Sequence, residues 1–102
     1  LRQQIEEQLR DALLDVAATK QLVDVARSNV ALATRALRDE DMRVRAGVDT
    51  NLPLVTAQAT LASAQNSLAE SIYQYNISKL GLARAAGVLE LQYRMYLGRQ
   101  AP

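Results

Sequence analysis

The sequence has no cysteine and no histidine among its 102 residues. Without cysteine, the chain can form neither a disulfide framework nor a thiolate metal site. Without histidine, it lacks the side chain that most often performs acid–base catalysis. The adjacent carboxylates Glu6 and Glu7 diverge by about 100° on a helix, so they cannot converge on one atom. We therefore predict that the protein is not an enzyme and has no catalytic residues, no cofactor and no metal site.

Aromatic residues and unbalanced charge are also scarce. Tyrosine, at four positions, is the only aromatic residue, and twelve basic residues are balanced by eleven acidic ones. This balance gives no electrostatic reason to expect a nucleic-acid partner. No apolar run approaches the roughly 20 residues of a transmembrane helix. Because the chain begins with Leu1 and not with methionine, we expect it to be part of a larger protein.

Glycine and proline are absent from two long stretches, residues 1–46 and residues 54–80. In each stretch, apolar or small residues recur at alternating spacings of three and four, which is the heptad pattern of coiled-coil helices. We call these residues the seam: Leu9, Ala12, Val16, Thr19, Val23, Ala26, Val30, Ala33 and Leu37 in the first stretch, and Leu54, Ala57, Leu61, Ala64, Leu68, Ser71, Tyr75, Ser78, Leu82 and Ala85 in the second. The sequence therefore predicts an all-α fold, a long antiparallel helical hairpin packed as a coiled coil.

The segment between the two stretches carries the signals of a tight turn between helices. Gly47 follows an unbroken helical pattern and suits the left-handed residue that ends a helix. Asn51 can cap a second helix, with the capping bond expected from the Leu54 amide. Pro53 then falls in the first turn of that helix, where a missing N–H loses no intrahelical bond.

The same turn offers groups that other proteins could bind. Arg43 and Arg45 place cations in the last turn of the first helix, where the helix dipole favours them and where they can donate charge-assisted hydrogen bonds. Val48 and Leu52 can supply apolar contact. The residues themselves leave two alternatives open, an ordinary hairpin turn and an interaction surface.

Each predicted helix carries a second apolar stripe outside its seam. We call these residues the second stripe: Leu14, Ala18, Val25, Leu32 and Ala36 in the first helix, and Val55, Ala62, Ala69, Tyr73, Leu80 and Ala83 in the second. A hairpin of two helices needs only one seam per helix. The second stripe therefore predicts another helical neighbour for each helix, in a sheet or ring of helices.

Charge is distributed unevenly between the two helices. Residues 1–46 contain eight basic and eight acidic residues, whereas Glu70 is the only charged residue of the second helix before Lys79. The remaining polar face of the second helix before Lys79 is neutral, and we call its residues the neutral face: Thr56, Thr60, Ser63, Ser67 and Gln74. One interpretation is a solvated first helix and a more enclosed second helix. The other is that the neutral face lines water inside an assembly.

Four segments follow from these signals. We predict a first long helix over residues 1–46, a tip turn over residues 47–52, a second long helix over residues 53–87 and a C-terminal tail over residues 88–102. Gly87 is predicted to end the second helix. In the tail, apolar residues alternate as in a strand, but Leu89, Tyr93 and Tyr96 also fit helical spacing. Periodicity does not decide between strand and helix there.

The order of motifs along the chain resembles the periplasmic helical hairpins of the TolC-like outer membrane efflux proteins. The resemblance rests on Arg43-x-x-x-Gly47-Val48 at the turn, Leu54-x-x-Ala57-Gln58-x-x-Leu61-x-x-Ala64 after it, then Tyr73-Gln-Tyr75-Asn76 and Leu80-x-Leu82-Ala83-x-Ala85-x-Gly87. It extends from about Glu7 to Gly87. The fragment looks most like the second hairpin of a protomer of that family.

The resemblance implies a trimeric parent in the outer membrane whose protomers each contribute two such hairpins to a periplasmic α-barrel. A β-barrel, expected outside this chain, would be its only part in the membrane. A periplasmic adaptor, or membrane fusion protein, and an inner-membrane pump would be its partners. The adaptor would dock at the tip, a role that the resemblance carries to Arg43, Gly47, Val48, Asp49 and Thr50. Arg45 and Leu52 join this predicted docking set because of their own chemistry.

These observations favour a channel-forming segment of an outer membrane efflux or secretion conduit. The alternative is a coiled-coil interaction module, such as the hairpin of the adaptor itself or a scaffold. A single stripe with charges on all other faces would favour the scaffold. Two stripes per helix and the neutral face favour the channel, and self-association is expected in either case.

Overall fold

The computed structural model describes residues 2–100 and shows two long helices. Helix α1 (Arg2–Arg45) and helix α2 (Asn51–Gln100) run antiparallel and are joined by a short turn. The chain measures 85 × 15 × 13 Å and has a radius of gyration of 23.1 Å. A compact domain of this length would have a radius of gyration of about 13 Å. The predicted all-α helical hairpin is therefore confirmed.

The two helices pack on each other along the predicted seam. Every seam residue is buried or half-buried. The most enclosed side chains of α1 are those of Ile5, Val23, Ala26 and Ala33, none of which is more than 8% exposed. Alanine at the seam lets helices approach toward the short end of the usual range of about 8–10 Å between axes. The hairpin thus has a narrow, continuous seam in place of a globular core.

Hydroxyl groups within the seam are satisfied by hydrogen bonds. Thr19 Oγ1 and Ser78 Oγ lie 2.7 Å apart and form a bond between the helices. Each hydroxyl also lies within bonding distance of a carbonyl of its own helix, Thr19 Oγ1 at 2.8 Å from that of Asp15 and Ser78 Oγ at 2.8 Å from that of Tyr75. A buried hydroxyl without a partner would cost about 1–3 kcal/mol. These bonds explain how polar residues occupy seam positions.

Helix α2 does not end at Gly87, as the sequence predicted, but continues to Gln100. A glycine commonly ends a helix by adopting positive φ, and within residues 2–100 only Gly47 does so. Inside a helix, glycine costs only about 1 kcal/mol relative to alanine. The predicted tail is therefore helical up to Gln100, in agreement with the helical spacing of Leu89 and Tyr93. Its last residues, 101–102, lie outside the described range.

The second stripe is exposed on the hairpin. Its large members, among them Leu14, Leu32, Tyr73 and Leu80, each have more than half of their surface accessible. Its alanines are exposed as well. One hairpin thus leaves an apolar surface along both helices that no part of the chain between residues 2 and 100 covers.

Candidate functional site

The turn after α1 is closed by two backbone hydrogen bonds. The Val48 N–H donates to the Arg43 carbonyl at 2.9 Å, and the Gly47 N–H donates to the Val44 carbonyl at 3.0 Å. This pair of bonds is the Schellman motif, and Gly47 has the φ of 73° that the motif requires. A Cβ at Gly47 would meet no atom within 4 Å. Backbone conformation, and not lack of space, therefore selects glycine here.

The start of α2 differs from the sequence prediction. Asn51 is the first helical residue and not the cap that precedes it. Within the described chain, no hydrogen bond joins the Leu54 amide to the Asn51 side chain, and the Thr50 N–H instead donates to Asp49 Oδ1 at 2.8 Å. Because Asn51 is itself the first helical residue, the Leu54 N–H is far enough into the helix to donate to the backbone carbonyl four residues earlier. It therefore needs no side-chain cap. Pro53 still lies in the first turn, as predicted.

Both arginines near the turn are paired within the chain. Arg43 Nε lies 3.8 Å from Asp49 Oδ2, and Arg45 Nε lies 3.1 Å from Asp41 Oδ2. The arginine side chains are mostly exposed, so each pair contributes only about 0–1 kcal/mol. The Arg43 pair connects the last turn of α1 with the loop, whereas the Arg45 pair stays within α1.

Apolar side chains project from the turn without cover. Val48 is 68% exposed and Leu52 is 73% exposed. Met42 and Val55, on either side of the turn, are also more than half exposed. We call these four residues the tip cluster. Exposed apolar groups gathered at one place on a protein commonly mark a binding surface.

The structure gathers the predicted docking set at one end of the hairpin but does not join all of it. Arg43, Asp49 and Thr50 are connected by the contacts described above. The side chains of Val48 and Leu52 are exposed to solvent. Arg45 forms its ion pair with Asp41 of α1 and not with a residue of the turn. The docking role of the set stays a prediction: Arg43, Arg45, Gly47, Val48, Asp49, Thr50 and Leu52.

Sequence reasoning missed Glu40, which lies beside this turn. It follows the seam residue Leu37 by three positions, so the heptad spacing alone could have identified it as a seam residue. Its Oε2 atom is shielded from solvent, and no N–H or O–H group of the described residues 2–100 donates to it. Loss of solvent and the hydrogen-bonding carboxyl of Asp49 both raise the pKa of Glu40 above the usual glutamate value, against an opposing effect of Arg43.

The described residues show no arrangement suited to metal chemistry. Between residues 2 and 100, no three acidic residues converge into a group that could hold a metal ion. A mainly apolar groove of about 530 Å³ lies at the other end of the hairpin, lined in part by Ile5, Leu89 and Tyr93. It contains no residue of the predicted docking set.

The neutral face of α2 is exposed along its whole length. Thr60 satisfies its hydroxyl on the carbonyl of Thr56, so this face is hydroxyl-rich but carries no fixed charge. The surface of α1, in contrast, carries eight basic and eight acidic residues within residues 1–46. Between residues 51 and 78, α2 therefore has a neutral polar surface apart from Glu70, whereas α1 is charged along its length.

Comparison with known protein families identifies the chain. The family model for outer membrane efflux proteins matches residues 2–88. The comparison with curated proteins found no significant match, and neither did the comparison with solved structures. No helix in the described part of the chain is long and apolar enough to cross a membrane. The match over most of the chain, on a hairpin of the expected form, shows that the chain belongs to the outer membrane efflux protein family, a family of transport channels.

Proposed function

We propose that this hairpin is a periplasmic, channel-forming segment of an outer membrane efflux or secretion conduit, and that its tip docks a periplasmic adaptor protein. The observation that carries the proposal is the second stripe, which is apolar on both helices and exposed on the hairpin. The family supports a component of an efflux channel. The role of the segment rests on the surfaces that the hairpin leaves open.

Other hairpins of the same kind are the natural cover for the second stripe. Both helices carry it, so a hairpin can be flanked on both sides, and a closed ring of such hairpins leaves no stripe exposed. Alanines within the stripe, such as Ala18, Ala62 and Ala69, permit close contact between helices. We infer a trimer in which each protomer contributes two hairpins to an α-barrel, as the family resemblance implies.

The neutral face suits the wall of a water-filled channel. Hydroxyl and amide groups can hydrogen-bond to water without holding a charge that would retain ionic solutes. The charged surface of α1 suits the outside of such a barrel, where solvent screens it. This arrangement assigns Ser63 and Ser67 to the lumen and the second stripe to the contacts between hairpins.

The tip suits the docking of another protein's helical hairpin. Val48 and Leu52 offer apolar contact. Burying their exposed side chains against a partner would remove apolar surface from water, which favours binding. Gly47 lets another backbone approach closely, because it has no side chain. Arg43, held only by a weak surface pair, can donate hydrogen bonds to a partner's carboxylate. An adaptor coupled to an inner-membrane pump is the partner that fits a periplasmic hairpin end.

Thiol labelling can test the channel wall, because the chain has no cysteine of its own. Ala62→Cys lies on the second stripe and Ser63→Cys on the neutral face, and both positions are exposed on the single hairpin. The two variants would be treated with a water-soluble maleimide, once in the assembled longer protein and once as the isolated hairpin. The isolated hairpin serves as the matched control.

In the assembled protein, Ser63→Cys should react and Ala62→Cys should be protected. Both should react alike in the isolated hairpin, because neither position is covered there. Equal reaction of the two variants in the assembled protein would contradict the barrel. That result would favour the alternative of a coiled-coil interaction module with solvent on all outer faces.

A further inference from the structure

The second stripes of α1 and α2 lie on opposite sides of the seam. A groove on one side is lined by Val25 of α1 and by Ser67 and Gln74 of α2. Val25 belongs to the second stripe of α1, whereas Ser67 and Gln74 belong to the neutral face. The second stripe of α1 therefore shares its side of the hairpin with the neutral face of α2.

The second stripe of α2 lies on the other side. There, near the turn, a second groove is lined by Thr34 and Arg38 of α1 and by Gln58 of α2. In heptads whose seam residues are a and d, Gln58 occupies position e and Ser67 position g, which flank the seam on opposite sides. Ala62 of the second stripe follows Gln58 by four residues, so these two residues share one face of α2. The second stripe of α2 therefore shares its side with charged residues of α1.

This placement decides which contacts can cover both stripes. A two-fold contact brings together the same surface of both copies, so on either side of the hairpin it would cover only one stripe of each copy. When α1 of one copy packs on α2 of the next, a copy with two neighbours has both stripes covered. We propose that the second stripe of α1 binds the second stripe of α2 in a second copy of this chain, with the tips of both hairpins at the same end. This contact rests on the proposed function, which assigns the stripes to contacts between hairpins.

The two stripes match each other in level when the tips point the same way. The hydrogen bond that joins the helices within the seam fixes which residues lie level. Counted from that bond, Leu14 lies level with Ala83, and Ala18 lies one residue from the level of Leu80. At both levels a large side chain of one copy would meet an alanine of the other. Such alternation lets side chains on facing helices interdigitate.

Charged residues near the open end of the hairpin, away from the turn, favour the same orientation. Asp11 and Asp15 adjoin the second stripe of α1, and Asp11 precedes Ala18 by one heptad. Lys79 and Arg84 adjoin the second stripe of α2. All four charged residues are exposed, and none of them forms an ion pair with any residue between 2 and 100. They are therefore available to a neighbouring copy.

Only one of the two possible orientations brings these charges together. With both tips at the same end, Arg84 of one copy comes within one helical turn of the level of Asp11 and Asp15 in the next. A copy turned end over end would place the two aspartates against the tip half of α2, which has no ionisable residue from Thr50 to Ala69. Complementary charges of this kind select the orientation of a contact more than they strengthen it.

Two variants that each block one stripe test the contact on the isolated hairpin. Val25→Asp places a charge in the second stripe of α1, and Ala69→Asp places one in that of α2. Both positions are exposed on the single hairpin, so circular dichroism should show that both variants stay helical. Ala31→Asp is the matched control, because Ala31 is exposed but lies outside both stripes. Sedimentation over a range of concentrations measures association.

The wild-type hairpin and Ala31→Asp should form species larger than a dimer as the concentration rises. Each blocked variant alone should associate at least about tenfold more weakly, because its contact would bury an unpaired charge. An equal mixture of Val25→Asp and Ala69→Asp should form a dimer and nothing larger, since each variant supplies the stripe that the other lacks. A wild-type hairpin that stays monomeric or stops at a dimer, a blocked variant that associates alone as the wild type does, or a mixture that stays monomeric would overturn the proposal.

Charge reversal within that mixture tests the orientation. Asp11→Lys, added to the Ala69→Asp partner, should weaken the mixed dimer by about two- to fivefold. Arg84→Glu, added to the Val25→Asp partner, should restore it. Asp24→Lys is the control, since Asp24 is exposed on the opposite side of α1. Equal effects of Asp11→Lys and Asp24→Lys, or no restoration by Arg84→Glu, would refute the orientation.

These measurements use the isolated hairpin, whereas thiol labelling of the channel wall uses the assembled longer protein. A protected Ala62→Cys together with a failed mixture would leave the barrel standing and refute only the contact between copies of this chain. Equal labelling in the assembled protein would instead refute the channel itself.

Discussion

Two alanine substitutions in the same chain should have opposite effects on stability. Gly47 has a φ of 73° in the turn, whereas Gly87 lies inside α2 without positive φ. At neither position would a Cβ meet an atom within 4 Å. A change in the free energy of unfolding therefore reports backbone conformation and not a steric clash.

Gly47→Ala should destabilise the hairpin by about 1–2 kcal/mol, because the left-handed conformation costs this much for a residue with a Cβ. Gly87→Ala should stabilise it by about 0.5–1 kcal/mol, because alanine is the better helix former and restricts the unfolded chain. The two variants should thus differ by roughly 2 kcal/mol. Urea unfolding followed by far-ultraviolet circular dichroism measures this difference, at one protein concentration because association would raise apparent stability.

Gly81→Ala provides a matched control, since Gly81 is a second glycine inside α2 with equally open surroundings. It should behave as Gly87→Ala does. A stabilising Gly47→Ala would contradict the left-handed turn. A destabilising Gly87→Ala, with Gly81→Ala stabilising, would show that the helix ends at Gly87 after all.

Three further results are expected of the isolated hairpin. Small-angle scattering of the monomer should give a radius of gyration close to the 23.1 Å of the Cα trace, and a value of about 13 Å would exclude the rod. The melting temperature should depend on protein concentration, because the exposed second stripe favours self-association. A melting temperature that stays constant over about two decades of concentration would contradict this. Thr19→Val should cost about 0.5–1.5 kcal/mol in unfolding free energy, because it removes the bond to Ser78, and a stabilised variant would show that this bond contributes nothing.

The hairpin could be predicted because two local features determine it: the heptad spacing within each helix and the glycine that ends the first helix. Heptad spacing fixes which face of each helix is buried, and it does so even where the residue is polar. Thr19 and Ser78 were placed in the seam by their positions, and the structure pairs them with each other. Gly47 was identified for the same reason, since a left-handed residue after a long helical pattern is a local requirement.

The end of α2 could not be predicted from glycine alone. Gly47 is followed by a loop sequence and Pro53, whereas Gly87 is followed by residues that continue helical spacing, such as Leu89 and Tyr93. The periodicity after the glycine, and not the glycine, distinguishes the two positions. Glu40 shows a different limit, because spacing along the chain can place it in the seam but cannot show that its Oε2 atom is shielded from solvent.

The docking role of the tip is tested most directly by Val48→Asp in the longer protein, with export as the readout. Val48 is 68% exposed, so the substitution should leave the hairpin folded while placing a charge in the tip cluster. Ala31→Asp is the control, because it adds the same charge at an exposed position of α1 far from the tip. Helicity and trimerisation should be measured for both variants. We predict that Val48→Asp keeps its helicity and trimerisation but loses export and adaptor binding. Ala31→Asp should keep helicity, trimerisation, export and adaptor binding. Wild-type export and adaptor binding by a folded, trimeric Val48→Asp protein would show that the tip is only a turn.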